Sequence, residues 1–551
     1  MFIREKIRKT GMRAIQIVEN RREGDKIKQV VIRHIGQAEN DRELVELKKL
    51  AHSILLEREQ RRETSLPLFD MEEVKNRRIV EEVIEDTVRV KDLREEQRLT
   101  DGISDVFGSL YRDLQLDTVL SGTRRDEQWN SILKSCVLGR LARPRSKRNT
   151  SLFLDEEYGV EIPLEKIHRM MDRFFPRIDE AKERVVRSTT ALFQEKVDVL
   201  FFDVTTLYFE SLDDDELRDF GFSKDCKFKE VQVVLALVTT RYGLPITYEV
   251  FPGDTFEGHT LQVAIEKLKQ RFAVENILIV ADRAMFNRKN LDWMDSEKIR
   301  YIVAAKLRSL SKELKDRIIG SALYAPTEVE NELHWVREFA FKDRRLIVSW
   351  SHERAHRDAA QRTRLIDRLF KKMKNGKIGL QDLVTNKGTR KFLKIENTSA
   401  IIDETKIDRD KEWDGLHGVI TNDKSLTVRE ILSRYRGLWQ IEEAFRVNKH
   451  DLRMRPIFHW KPKRIKAHIA ICFLAYTIAK QATYRLELIL KKPISFAELR
   501  HQLLLVQSSV LGNISTQKRY LLPSQLTHEQ KRIYSAFGLK RRETPSAILE
   551  N

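Results

Sequence analysis

An α/β core is predicted by a change of pattern near residue 197, by the order of the elements that follow, and by where two aspartates fall in that order. The stretches "VDVLFFDVTTLYFES" (197–211), "KEVQVVLALVTT" (229–240) and "PITYEVFPG" (245–253) are β-rich runs, and a turn at 242–243 before Leu-Pro separates the second from the third. Next, "GHTLQVAIEKLKQRF" has apolar residues at helical spacing and "NILIVADRA" reads as a buried strand; "RKNLDWMDSEK" is a second helix and "RYIVAAKL" a fifth strand.

The order β-β-β-α-β-α-β is that of a ribonuclease-H-like core, in which antiparallel strands precede a parallel βαβ extension. Around it the chain divides into further parts. Residues 1–95 read as a β-hairpin turning at 24–25, a helix over 41–63 and a charged connection. Residues 96–195 read as an α-helical domain whose basic turn "RPRSKR" suits DNA contact, although a solvated bundle has the same pattern. The first part of the core spans 196–306. Short strands around the charged helix "HERAHRDAAQRTRLIDRLFKKMKN" predict a β-rich insertion domain over 307–426. A long helix within 427–450 opens the completion of the core at 427–480, and 481–551 add C-terminal helices and a tail, a candidate dimerisation region.

The 551 residues are 41% hydrophobic, which suffices for real cores, and 102 Lys and Arg against 84 Asp and Glu leave a formal charge of +18. That excess favours a polyanionic partner; no basic amphipathic anchor stands out, so nucleic acid is favoured over a membrane surface. Cys136, Cys226 and Cys472 lie far apart and form neither a disulfide framework nor a thiolate zinc site, which fits a reducing cytoplasm. "AHIAICFLAYTIA" (467–479) is too short and too close to lysines to span a bilayer.

Asp203 ends "VLFFD" and Asp282 ends "ILIVAD", the carboxyl ends of buried strands where sites in such sheets collect. Either alone is an ordinary turn cap. In the order above, however, the first and fourth strands are neighbours, so the two carboxylates fall side by side. Like charges about 4 Å apart repel by roughly 4 kcal/mol at an effective dielectric of 20, so such a pair shares a proton or holds a cation. Carboxylate oxygens select Mg²⁺ or Mn²⁺, and two such ions are a device for in-line attack on a phosphodiester. A third carboxylate comes from "YRGLWQIEEAFRVNKH" (435–450). Steps of 4, 3, 4 and 3 from Tyr435 reach Trp439, Glu442, Arg446 and Lys449, one face of a helix on which Glu442 completes the set, the cations meet phosphates and Trp439 stacks on a base. The plainer alternative is a solvated face with a Glu442–Arg446 pair worth about 0.3–0.5 kcal/mol, against which Trp439 counts. His259, His417, His450, His459 and His468 show no metal-ligand spacing and read as phosphate contacts or structural histidines; "GDTFEG" lacks the GK[ST] of a phosphate loop.

With these residues in place, the chain resembles a DDE transposase of a bacterial insertion sequence, in the insertion sequence 4 superfamily and its 1634-like branch. The resemblance rests on "LFFDVTTLYFES", "ILIVADRAMFNRKNL" and "YRGLWQIEEAFRVNKHDLRMRPIFHW", with "FPGDTFEGHTL", "DGLHGVITND" and "RIKAHIAICFLAY" in support, and covers about 197–480. The superfamily's Glu-helix signature is matched by Tyr435, Glu442 and Lys449; its Arg position is Leu438, leaving Arg436 or Arg446 to supply that phosphate contact. The spacings of 79 residues from Asp203 to Asp282 and 160 from Asp282 to Glu442 fit as well, the second leaving room for the insertion. The resemblance implies that Asp203, Asp282 and Glu442 hold two Mg²⁺ ions, with Mn²⁺ as substitute, and that Tyr435, Arg436, Trp439, Arg446 and Lys449 contact DNA. The implied partners are the terminal inverted repeats and target DNA, engaged by a homodimer in the bacterial cytoplasm at the nucleoid. The rival readings are a metal nuclease without strand transfer and a non-catalytic DNA-binding descendant.

Overall fold

The computed structural model describes residues 2–549 apart from 8–12, 24–25, 39–42, 46, 49–50, 52–79, 83–86, 121–123, 194–197, 211–213, 221–229, 272–276, 321–323, 375–390 and 397–398. The turn expected at 24–25, Cys226 and most of the helix expected over 41–63 lie outside the described residues. Strands β1 (Phe2–Ile7), β2 (Arg13–Glu23) and β3 (Lys26–Ala38) form an antiparallel sheet, one strand more than the expected hairpin. Its buried residues Ile15, Ile17 and Ile35 pack with Leu47 and with Leu244, Tyr484 and Leu488 from the body of the protein, so this part is docked rather than a free arm.

Two more strands, β4 (Val80–Glu82) and β5 (Leu93–Thr100), precede five helices between Gly102 and Phe193. One of these helices has clear local signals at both ends. Ser146 caps the helix Lys147–Tyr158 by accepting from Asn149 N, and Gly159, at φ +64°, ends it in the left-handed conformation that glycine adopts without strain.

The central sheet starts with β6 (Val199–Tyr208), β7 (Gln232–Thr240), β8 (Pro245–Pro252), β9 (Leu278–Ala281) and β10 (Arg300–Ala304). They lie in the order β8-β7-β6-β9-β10, antiparallel from β8 to β6 and parallel from β6 to β10. β7 is buried at all nine positions, which explains its unbroken apolar run: both faces of the sheet are covered. Alternate residues divide between two cores. Phe201, Leu235 and Val280 join the core beneath the helix Pro462–Leu490, whereas Phe202, Ala236 and Ala281 join the one formed with Leu261, Ile265, Leu291 and Met294.

Residues 307–426, expected as a β-rich insertion domain, contribute most of their strands to this sheet. β11 (Ala325–Val329), β12 (Glu332–Phe341) and β13 (Arg344–Trp350) continue it outward. Among the described residues, only the hairpin of β14 (Leu393–Glu396) and β15 (Ser399–Ile402), with its core at Leu369, Phe392 and Leu393, makes a sheet of its own, while β16 (Leu416–Thr421) lies between β13 and β10. The physical reason is that β10 would otherwise present an open row of N–H and C=O groups; β16 pairs that row, from Ile302↔Thr421 to Ala304↔Val419.

The chain then runs through the helix Pro462–Leu490, whose 29 residues cross the boundary expected at 480. It is buried almost all round from Ile465 to Ala479, since it lies between the sheet and the N-terminal helices. Among the described residues, no helix is long and apolar enough to cross a membrane. The tail adds the helices Phe496–Leu504 and His528–Ala536, then β17 (Gln507–Asn513), β18 (Arg519–Pro523) and β19 (Ser546–Leu549). These close a five-stranded sheet with the order β4-β19-β18-β17-β5, so the tail is bound to residues 80–100.

Ion pairs tie the N-terminal helices to the long helix at Asp172 and Asp113. Arg464 donates to both carboxylate oxygens of Asp172, at 2.9 and 2.8 Å, and this hydrogen bonding holds the Asp172 carboxyl below its ordinary range. A lowered folded-state pKa contributes stability that is present above the unfolded value, near 3.9, and is lost as pH falls through the folded one. The urea midpoint of wild type is therefore expected to exceed that of Asp172→Asn at pH 7, with the gap closing below about pH 4. A gap that persists unchanged at pH 3 would contradict the linkage.

Candidate active site

Asp203 is the fifth residue of β6, not its last. The strand runs on because Val204, Thr205 and Thr206 suit an extended backbone and pair with β7 as far as Tyr208↔Gln232. What ends before Asp203 is the parallel pairing with β9, whose last partners are Phe202↔Ala281. Asp203 and Asp282 are thus the next residues on two paired strands, whose backbones lie roughly 4.8 Å apart. Alternation puts both on the Phe201 and Val280 side of the sheet, the side covered by the helix Trp439–Arg446 that carries Glu442. Asp282 leads into the turn Arg283–Met285 in an extended conformation, φ −75° and ψ 169°.

The expected continuous helix over 427–450 is broken. It consists of Val428–Arg436, then Trp439–Arg446, then a π-helical turn Val447–Asp451. The break falls at Gly437, where a Cβ would lie 2.6 Å from Phe201 Cζ. Phe201 is 1% exposed and has no room to retreat. Gly437→Ala is therefore expected to cost about 1–3 kcal/mol of stability by overpacking. It should also lower turnover by about 10²-fold if it shifts the Glu442 helix by about 1 Å. Denaturant unfolding and a DNA cleavage assay on one preparation would check both effects.

The break separates the five residues expected on one face. A cavity of about 880 Å³ is lined by Asp282, Tyr435 and Glu442 but not by Trp439, Arg446 or Lys449. Trp439 is 57% exposed and so is open to stacking outside the cavity. Arg446 is held by Glu443, Nε to Oε2 at 2.7 Å, and by Asp451 at 3.4 Å; its pair is Glu443 rather than Glu442. Lys449 is half-buried on the π-helical turn. Arg436 points elsewhere, pairing with Glu332 at 2.8 Å and donating to Val329 O, which fastens its helix to β11 and β12. Leu438 is buried in the core at 6% exposure, which suits an apolar residue there.

Tyr435 is held in its neutral form, its pKa raised by burial and then by the negative charges of Asp282 and Glu442. Its ring stacks at 4.9 Å from that of His417, whose pKa is pushed down to about 3 by burial and then by Arg354 and Arg283. Two polar atoms of cavity-lining residues, His417 Nε2 and Arg354 Nε, are buried without a hydrogen-bond partner. The opposite wall comes from the helices His352–Lys374 and Glu404–Lys411 and the residues after the latter. There Arg362 Nη1 lies 2.6 Å from Asp414 Oδ1 and 3.5 Å from Asp410 Oδ2, while Arg308 also pairs with Asp410.

Residues 195–478 match the family model described as the transposase DDE domain, 284 of the 551 residues. The chain belongs to the transposase DDE domain family. Its DDE domain starts just before β6 and ends within the long helix, so it contains every residue of this cavity. Among solved structures, the DDE-domain chain is similar to the piggyBac transposase synaptic complex with hairpin DNA, at 9% identity and a TM-score of 0.36, over 73% of this chain and 77% of that one. It is also similar to the Mos1 transposase paired-end complex with the left transposon end, at 11% identity and a TM-score of 0.15, over 31% of this chain and 57% of that one. No curated protein matches.

Proteins with this domain use divalent metal ions, and the donor chemistry here suits them: the three acidic residues are hard oxygen ligands, two of them on one cavity. Among the described residues, no three His, Cys, Asp or Glu side chains are grouped closely enough to form a ready ligand set. The DDE-domain cavity also has two cationic residues that periodicity alone does not single out, Arg283 and Arg354. Arg283 has a signal, since it follows Asp282 directly in "IVADRA"; Arg354 lies in a charged helix that reads equally as a solvated face.

Proposed function

We propose that this chain is an active DNA transposase of the insertion sequence 4 superfamily, in its 1634-like branch, from a bacterium, and that the strands β8-β7-β6-β9-β10 are its ribonuclease-H-like core. In this reading it binds the terminal inverted repeats of its element as a homodimer, cuts there, and joins the ends to target DNA. The observation that carries the reading is the register Phe202↔Ala281, which sets Asp203 and Asp282 on adjacent strands beneath the helix bearing Glu442.

Asp203, Asp282 and Glu442 are the residues that would hold Mg²⁺, or Mn²⁺ in its place. The chemistry supplied by two such ions is Lewis-acid activation of the attacking and leaving oxygens in an in-line displacement at phosphorus. In cleavage, the oxygen of water bonds to phosphorus and the bond to the 3′-oxygen breaks. In joining, the freed 3′-hydroxyl oxygen bonds to the phosphorus of a target phosphodiester and the bond from that phosphorus to the target's own 3′-oxygen breaks, so neither step needs a protein nucleophile. Tyr435, kept neutral, can donate its hydroxyl proton to a phosphate oxygen, and Arg283 and Arg354 can neutralise phosphate charge. Trp439 and Lys449 lie outside the cavity and are assigned to the DNA that leads into it; Trp439 is free to stack on an unpaired base.

The test is incubation of purified protein and Mg²⁺ or Mn²⁺ with the DNA flanking its coding sequence, labelled on each strand. Nicks at fixed positions in inverted repeats together with joined products are expected. Nicks without joined products would leave a nuclease, and binding without metal-dependent nicking would leave a DNA-binding descendant.

A further inference from the structure

A second cavity of about 530 Å³ shares no lining residue with the first. It lies between the start of the helix Lys147–Tyr158, the loop after the π-helical turn, and the long helix. Its walls include Arg140, Lys147, Arg148, Arg453, His459 and His468, and no Asp or Glu lines it. Arg140 is 3% exposed and Lys147 5%. Arg140 spends one nitrogen on the carbonyls of Leu452 and Arg453, each at 3.3 Å. Lys147 is the stronger observation. Among the described residues, this buried side chain has neither a carboxylate nor a hydrogen-bond acceptor as partner. A buried cation without a counter-charge is costly, and burial together with Arg140 lowers its pKa to about 8. The same uncompensated charge bears on the imidazoles: burial and then Lys147 push His459 down to about 3 and His468 well below its ordinary range. His468 Nδ1 is buried without a partner while Nε2 meets Met454 O at 3.0 Å. The wall also contains a helix N-terminus, of which Ser146 satisfies the Asn149 N–H. An anion is the missing partner.

We propose that this pocket is a phosphate site, filled by a backbone phosphodiester of DNA lying across the N-terminal helices and anchored by Lys147 and Arg140. The DNA assignment rests on the transposase reading above; the phosphate chemistry does not. A phosphodiester fits a cavity whose cationic residues come from separate elements and whose lining has no Asp or Glu. Exposed Arg148 and Arg453 at the rim can meet the neighbouring phosphates of the same strand.

The experiment measures binding of the full-length protein to a labelled mixed-sequence duplex over a range of salt concentrations, for wild type, Lys147→Met and the rim variant Arg148→Gln/Arg453→Gln. Removing one cation that neutralises a phosphate makes the slope of log K against log salt shallower by about 0.9. Lys147→Met is expected to weaken binding about three- to tenfold with a slope smaller by about one, and the rim variant with a slope smaller by about two. The Lys147→Met thermal midpoint should equal or exceed that of wild type, since a buried charge is removed. A second arm compares inorganic phosphate with chloride at matched ionic strength. Stabilisation of wild type by phosphate and not of Lys147→Met, with unchanged DNA slopes, would make free phosphate the occupant and overturn the DNA assignment. Unchanged slopes and no phosphate effect would overturn the site. The transposase reading fails separately, through absence of cleavage by wild type, which leaves these slopes untouched.

Discussion

Glu442→Gln is expected to lower metal-dependent DNA cleavage by at least about a thousandfold, a loss of roughly 4 kcal/mol in transition-state stabilisation. DNA affinity should stay within about threefold of wild type, because the change removes one charge and almost no volume. The expectation follows from position. Glu442 is exposed on the helix that covers the Asp203 and Asp282 side of the sheet, and its neighbours Ile441 and Ala444 fix that helix in the core. Glutamine keeps the length and one carbonyl oxygen but loses the charge that draws a divalent cation. Asp203→Ala and Asp282→Ala should behave alike, and their combinations with Glu442→Gln should add little, as for groups that act as a unit. Cleavage within tenfold of wild type by Glu442→Gln would remove that residue from the site.

Arg362→Met should have the largest effect on stability. Arg362 is 7% exposed and lies between Asp414 and Asp410 on the wall facing the carboxylates. Its guanidinium is held protonated chiefly by the hydrogen bonds to Asp414. Removing one partner of such a buried group costs about 3–5 kcal/mol, because the remaining charges stay buried without it. The loss should be local as well as global. The Glu404–Lys411 helix is fastened at Asp410 by Arg308, Lys391 and Arg362, and the last of these is the contact to the helix His352–Lys374. Faster hydrogen exchange across both helices, with a lower urea midpoint, is the expected result. Unchanged exchange there would mean that the two helices are held by other contacts.

What could be read from the sequence depended on how far apart the interacting residues lie. β6 to β10 were legible because strands covered on both faces must be short apolar runs, and their order follows from the chain. The pairing of β13 with β16 was not, because Arg345 and Thr421 are joined across a long charged segment that has the composition of an independent domain. The Glu442 stretch illustrates the same limit. A glycine within a helical pattern costs only about 1 kcal/mol against alanine, so Gly437 passes for an ordinary helical residue; what leaves no room there for a Cβ is Phe201, more than two hundred residues earlier. Asp282 and Glu442 drew notice through apolar runs and spacing. Arg283 and Arg354 are defined by what surrounds them, and no local pattern records that.

Thr100 of β5 faces Gln507 of β17, 407 positions further along the chain. At synthesis rates of about 5–20 residues per second, that distance takes roughly 20–80 s to translate. For all of that time β5 has an open edge, while β6 to β10, complete by Ala304, can already form. β4 waits longer still, since its partner β19 lies at 546–549. The protein is therefore sealed last where its early and final segments meet. A chain stopped early by a nonsense codon or a stalled ribosome keeps those edges bare, and should be recognised by proteases and lost before it reaches DNA.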